Sequence, residues 1–294
     1  MRWNKVTLVG VGLLGGSLGL ALRQRRLAQQ VVGFVRRADS VAECERAGAV
    51  DAATLDLTEA VGGADLVVLC TPIAQMRALV KQMLPAIQRG AMVTDVGSVK
   101  AGVVRSLAPG VAKAGAHFVG SHPMAGSEKT GVAAASADLF VNAVCVLTPA
   151  PGTDRAALGA VEELWRRVGA RTLRLAPDLH DALVSRSSHL PHVVAAALAN
   201  CVLDSRQPKE QPLLCATGFR DTTRVASGSP EMWRDIALAN RKNLRRALAL
   251  LARQLEEFGR ALDRQDAAAV QGFLERAKTR RDAWCAQAAS PSSE

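Results

Sequence analysis

Over the first 176 residues, short and almost wholly apolar runs alternate with longer stretches whose apolar positions recur at helical spacing. "VTLVG", "QVVGFV", "ADLVVLCTP", "AMVTDVGS" and "HFVGSHP" read as strands, and "IAQMRALVKQML" reads as a helix between two of them. Short buried strands separated by helices imply a parallel sheet covered on both faces. "FVNAVCVLTP" and "RTLRLAP" add two later strands around a helix containing "LGAVEELWRRVG".

The texture changes after Pro177, and no further strand is predicted. "DLHDALVSRSSHLPHVVAAALANCVL" reads as a long helix kinked at Pro191. Leu244, Leu248, Leu251, Leu255, Phe258 and Leu262 recur at alternating spacings of four and three, with Arg245, Arg246, Arg253 and Arg260 off the stripe. A seam this short packs in a helical core or a dimer interface rather than in a free coiled coil. Residues 1–176 and 177–294 are therefore expected to form two domains, the second all-α.

The first strand runs into Gly10-x-Gly12-x-x-Gly15, which opens a helix. Such glycines let a backbone approach a pyrophosphate, which rests on the helix N-terminus formed by Leu13 and Leu14. The first domain thus reads as an α/β Rossmann-type dinucleotide-binding domain. The second strand usually ends in an acid that binds the ribose hydroxyls, but Val35 stands there, followed by Arg36 and Arg37. Two guanidiniums without a carboxylate suit a 2′-phosphate, with Ser40 adding a hydroxyl, so NADP is expected ahead of NAD. The same arginines also fit an ordinary solvated strand end.

Polar residues then collect where a parallel sheet presents ligands, at the C-terminal ends of its strands. Thr71 and Pro72 follow one strand, Asp95, Ser98 and Lys100 close the next, and His122 lies in "GSHPMAGSEKTG". A histidine at that rim can accept a proton as hydride leaves the same carbon, although taken alone it equally fits a polar turn. In "GFRDTTRVASGSPEMWRDI", Arg220, Asp221, Arg224 and Trp233 fall between two helices, and Ser-Pro-Glu marks a helix start. Carboxylate capture and a structural salt-bridge network fit this cluster equally well. His180, His189 and His192 lack a cysteine or carboxylate that would complete a tetrahedral set, so no metal site is expected.

Composition adds limits. The 37 basic and 27 acidic residues give a net charge of +10, which raises the question of nucleic acid. Few aromatics and no tyrosine leave little for base stacking, and a basic protein also suits a small anionic substrate, so no nucleic-acid partner is expected. The six scattered cysteines form no C-x-x-C pair, which fits reduced thiols in the cytoplasm. The glycines in the N-terminal apolar run argue against a signal peptide, and no apolar run is long enough to span a membrane.

Taken in order, "VGVGLLGGSLG", "LCTPI", "TDVGSVK", "GSHPMAGSEKTG", "SHLPH" and "GFRDTTR" resemble the prephenate/arogenate (cyclohexadienyl) dehydrogenase family of tyrosine biosynthesis, over nearly the whole chain. The resemblance implies an oxidoreductase that decarboxylates prephenate or arogenate with hydride transfer to NADP or NAD. It also implies an all-α C-terminal domain that forms a homodimer. It makes His122 the catalytic histidine, supported by Ser98 near the nicotinamide. It makes His192 and Arg224 substrate-site residues, and it makes Glu128 and Asp221 parts of a charged gate. His180 and Trp233 also match family positions and are expected among the substrate-binding residues.

Overall fold

The computed structural model describes residues 2–127 and 129–289. Among these, the strands are β1 (Trp3–Val9), β2 (Ala28–Phe34), β3 (Ala52–Thr54), β4 (Leu66–Leu69), β5 (Met92–Asp95), β6 (His117–Pro123), β7 (Val144–Thr148) and β8 (Arg171–Arg174). They form one sheet in the order β3-β2-β1-β4-β5-β6-β7-β8. Helices α1 (Leu13–Gln24), α2 (Ala38–Arg46), α3 (Leu57–Val61), α4 (Ile73–Met83), α5 (Ala101–Lys113) and α6 (Arg155–Arg167) alternate with these strands.

The apolar strand runs are buried because helices cover both faces of the sheet. Side chains alternate between the two faces along each strand. Leu8 accordingly joins one core with Leu18, Leu22, Phe140 and Trp165, while its neighbour Val9 joins the other with Leu69, Met76, Met83 and Leu107. β3 escaped the sequence pattern because it has three residues, none of them buried.

The sheet departs from the all-parallel expectation at one place. β7 runs antiparallel to β6, pairing Gly120 with Thr148 and His122 with Val146. A parallel return needs a long crossover, usually a helix. The connection here holds only a 3₁₀ turn, Val132–Ala134, among its described residues. α6 then supplies the crossover that makes β8 parallel to β7.

Beyond β8 the described chain is helical or loop: α7 (Pro177–Val184), α8 (Leu190–Val202), α9 (Thr217–Thr223), α10 (Pro230–Ala239), α11 (Arg241–Asp263) and α12 (Ala267–Ala289). The irregularity expected at Pro191 lies just ahead of it, as a π-helical turn over Ser185–His189 that joins α7 to α8. Proline lacks an N–H and its ring crowds the carbonyl four residues back, and a widened turn accommodates both. Ser229 caps α10, accepting from the Met232 N–H at 3.3 Å, as its Ser-Pro-Glu start predicts. Arg220 and Asp221, expected between helices, instead lie on the short α9.

The chain divides into two compact units, Met1–Asn243 and Leu244–Glu294, so the second begins in the first turn of α11. On α11 the seam leaves Leu255 and Leu262 exposed. All six cysteines are free thiols. Among the described residues, no helix is long and apolar enough to cross a membrane.

Candidate active site

The strand order reverses direction between β1 and β4, and the loops leaving these two strands meet at their C-terminal ends. Gly10 adopts φ +97°, a conformation that other residues rarely take, and its N–H donates to the Phe34 carbonyl at 3.0 Å. A Cβ on Gly15 would lie 2.1 Å from the Gly10 carbonyl oxygen, so the turn can close onto α1 only without a side chain there. Around Gly12, by contrast, a Cβ would meet nothing within 4 Å. The loop is therefore packed shut on the protein side and open on the other. Thr71 borders it, with its Oγ1 buried and lacking a hydrogen-bond partner among the described residues. An open glycine loop at a helix N-terminus beside an unsatisfied hydroxyl fits a dinucleotide phosphate.

β2 ends at Phe34, and Val35 is buried with its N–H on the Thr54 carbonyl at 3.1 Å. Arg36 and Arg37 then emerge into solvent, with Arg37 Nη2 lying 3.5 Å from Ser40 Oγ. No carboxylate occupies the Val35 position; the first one after the strand end is the exposed Asp39, in the first turn of α2.

The ends of β5 and β6 are built differently. Asp95 and Lys100 are fully buried and form an ion pair, and Asp95 also accepts the N–H groups of Gly97 at 2.9 Å and Ser121 at 3.2 Å. Ser121 Oγ donates to the Asp95 carbonyl at 2.5 Å and accepts from Trp165 Nε1 at 3.1 Å. These bonds fix the strand end that carries His122, whose ring is almost completely buried. His122 Nδ1 lies 2.9 Å from His180 Nε2, and His180 Nδ1 lies 2.8 Å from Asp181 Oδ1. Burial holds the His122 pKa well below the usual imidazole value, and the positive charge of Lys100, with His180 and His189, acts in the same direction. The His122 ring is thus neutral near neutral pH.

A second cluster forms on α8 and α10. His192 stacks on Trp233, with ring centroids 3.6 Å apart and planes 11° from parallel, while His189 meets the Trp233 edge at 6.1 Å. Asn240 Nδ2 donates to the Asp181 carbonyl at 2.7 Å and lies 3.2 Å from His189 Nδ1, tying the two clusters together. Burial lowers His192 and brings His189 to about 4, with Asp181 and the Ser98 backbone opposing in the latter. His192 Nδ1 and His189 Nε2 are both buried without a hydrogen-bond partner among the described residues.

This geometry coincides with a family assignment. A model of the prephenate dehydrogenase nucleotide-binding domain matches residues 18–174, and one of the prephenate dehydrogenase dimerization domain matches residues 176–276. The chain belongs to the prephenate dehydrogenase family. It is 34% identical to the prephenate dehydrogenase of Bacillus subtilis over 283 residues, 95% of this chain and 76% of that one. Prephenate dehydrogenase from Aquifex aeolicus, solved with hydroxyphenyl propionate and NAD+, superposes with a TM-score of 0.89. That match has 31% identity and covers 96% of this chain and 98% of the other. Synechocystis arogenate dehydrogenase gives a TM-score of 0.80 at 31% identity, covering 95% and 99% of the two chains.

The other residues that the family resemblance singled out are placed as follows. Ser98 is half-buried between β5 and α5. Asp221 and Arg224 are exposed, the first on α9 and the second opening a 3₁₀ turn, Arg224–Ser227, that packs against α8. Glu128 lies outside the described residues. Asp181 and Asn240 were not singled out from sequence. Asp181 accepts from backbone N–H groups 80 and 81 positions earlier, and Asn240 meets partners 51 and 59 positions earlier, relations that no local spacing displays.

Proposed function

We propose that this enzyme oxidatively decarboxylates prephenate, arogenate or both, with NADP+ preferred over NAD+, in tyrosine biosynthesis in the cytoplasm. The observation that carries the reading is His122, a neutral imidazole fixed at the rim of a nucleotide-binding sheet in a chain of this family. When bound, the nicotinamide supplies the hydride acceptor. Gly10, Gly12, Leu13, Leu14 and Gly15 would hold the pyrophosphate on the N-terminus of α1, with Thr71 and Pro72 beside it, and Ser98 would support the nicotinamide. Arg36, Arg37 and Ser40 take the 2′-phosphate, and the cations there favour NADP+.

His122 accepts the proton of the ring hydroxyl as the carbonyl forms. The ring carboxylate then leaves as CO2, its bonding electron pair passing through the ring to the new carbonyl oxygen, which takes the proton back from His122, and aromatisation makes the step irreversible. Arg224 binds a substrate carboxylate, His192 and Trp233 line the pocket, and Asp221 with Glu128 forms a charged gate. The division near residue 176 separates cofactor binding from the helices that complete the substrate site. Two copies associate through the C-terminal helices, a reading supported by the dimerization-domain match and the exposed seam on α11.

The test is a four-way assay of the purified enzyme with prephenate and arogenate, each with NAD+ and NADP+. Reduced cofactor and CO2 in equal amounts from at least one substrate, with a higher kcat/KM for NADP+, is the expected result. No turnover of either substrate contradicts the proposed reaction, and a clear NAD+ preference contradicts the cofactor assignment.

A further inference from the structure

We infer that Asp181 and His180 are positioning residues that hold His122 in the single tautomer able to act as a base, with Nδ1 protonated and the Nε2 lone pair bare. The inference rests on His122 being the proton acceptor. The wiring follows from groups whose roles cannot change. The backbone N–H of Lys100 donates to Asp181 Oδ1 at 2.7 Å, and that of Ala101 donates to Oδ2 at 3.0 Å, so both oxygens act as acceptors. A carboxylate offers only lone pairs, so the proton between Asp181 Oδ1 and His180 belongs to His180 Nδ1. In a neutral ring His180 Nε2 then carries a lone pair, and the 2.9 Å contact is a bond donated by His122 Nδ1–H.

The opposite arrangement is poor. With His122 protonated on Nε2, two lone pairs would face each other at 2.9 Å, or His180 would become a second buried cation in a cluster that already holds Lys100. Asp181 cannot rotate away from its task. It sits against the first N–H groups of α5, and its main-chain carbonyl accepts from Asn240. When the hydroxyl proton arrives on His122 Nε2, the ring becomes an imidazolium whose Nδ1–H still points to His180. The negative charge of Asp181 stabilises it through that bond, with no proton passing to the carboxylate.

The experiment uses full-length enzyme labelled with ¹⁵N-histidine. Only five histidines are present, so single substitutions assign the ring signals. The expected spectrum at pH 7.5 shows His122 with a protonated Nδ1 and a bare Nε2; a protonated Nε2 overturns the inference. Asp181→Asn and His180→Gln are then assayed alone and combined with His122→Asn. Each alone is expected to lower kcat about 10²- to 10⁴-fold, with substrate KM changed less than about threefold. In the His122→Asn background each is expected to cost nothing more, because both act through that ring. A further loss of the same size in that background marks a merely structural role and overturns the inference. Where Asp181→Asn prevents folding by uncapping α5, His180→Gln and the wild-type spectrum decide the question. Full turnover by His122→Asn would instead remove the proton-acceptor reading itself, whatever the tautomer.

Discussion

The ends of β5 and β6 and the end of β2 lie on the same side of one sheet, yet they are made in opposite ways. Asp95, Lys100 and Ser121 are buried and bonded to one another, and the buried ring of His122 is tied to His180, whereas Arg36 and Arg37 stand in solvent with a 3.5 Å contact from Arg37 to Ser40. Proton transfer depends on a base held within hydrogen-bond reach and in the right tautomer, which demands rigid surroundings. Recognition of a phosphate tolerates long donors that become ordered when the ligand arrives. One region should therefore fail through structure when altered, and the other through ligand preference.

Lys100→Met should break this contrast most severely. It leaves the Asp95 carboxylate buried without its cation, a change that costs about 3–5 kcal/mol. Denaturant unfolding should show that loss, and near-wild-type stability would mean that the pair is not structural. Arg36→Ala with Arg37→Ala should leave the melting temperature unchanged. It should lower kcat/KM for NADP+ about 10- to 100-fold, as expected for losing charge-assisted hydrogen bonds, while kcat/KM for NAD+ moves less than about threefold. Equal losses for both cofactors would place these arginines outside the 2′-phosphate site.

A subtler effect is expected in the pH dependence of stability. His122, His189 and His192 have folded pKa values lowered by burial, so below about pH 6.5 the unfolded chain binds protons that the folded chain refuses. Their contribution is fully present above pH 6.5 and falls on acidification, by at most about 1.4 kcal/mol per pH unit for each ring, towards the lowered values. Unfolding measured between pH 7.5 and 5 should show stability falling, with a slope reduced in His189→Gln. The acid limb of kcat/KM should likewise lie below the ordinary imidazole pKa, because His122 stays neutral there.

Much of the fold was legible because it is written in local pattern. Continuous apolar runs marked the buried strands, Gly10-x-Gly12-x-x-Gly15 marked the nucleotide turn, and Ser229-Pro230-Glu231 marked the start of α10. The antiparallel β7 was not, because strand direction follows from how the connection returns and apolar alternation carries no direction. Pro191 signalled an irregular helix but not its form, since whether a proline produces a bend or a π-helical turn depends on neighbouring packing. In the site, His122 was visible from its place at a strand end. Asp181 was hidden beside His180 in "HDALV", because its meaning comes from the N-terminus of α5, some eighty residues earlier in the chain.

The central claim is that the buried ring of His122 takes the substrate proton. The most direct measurement is single-turnover formation of reduced cofactor by His122→Asn with saturating prephenate or arogenate, alongside calorimetric cofactor binding. A rate lower by about 10²- to 10⁴-fold, with cofactor affinity unchanged, is the predicted result. A near-wild-type rate with intact binding would contradict it.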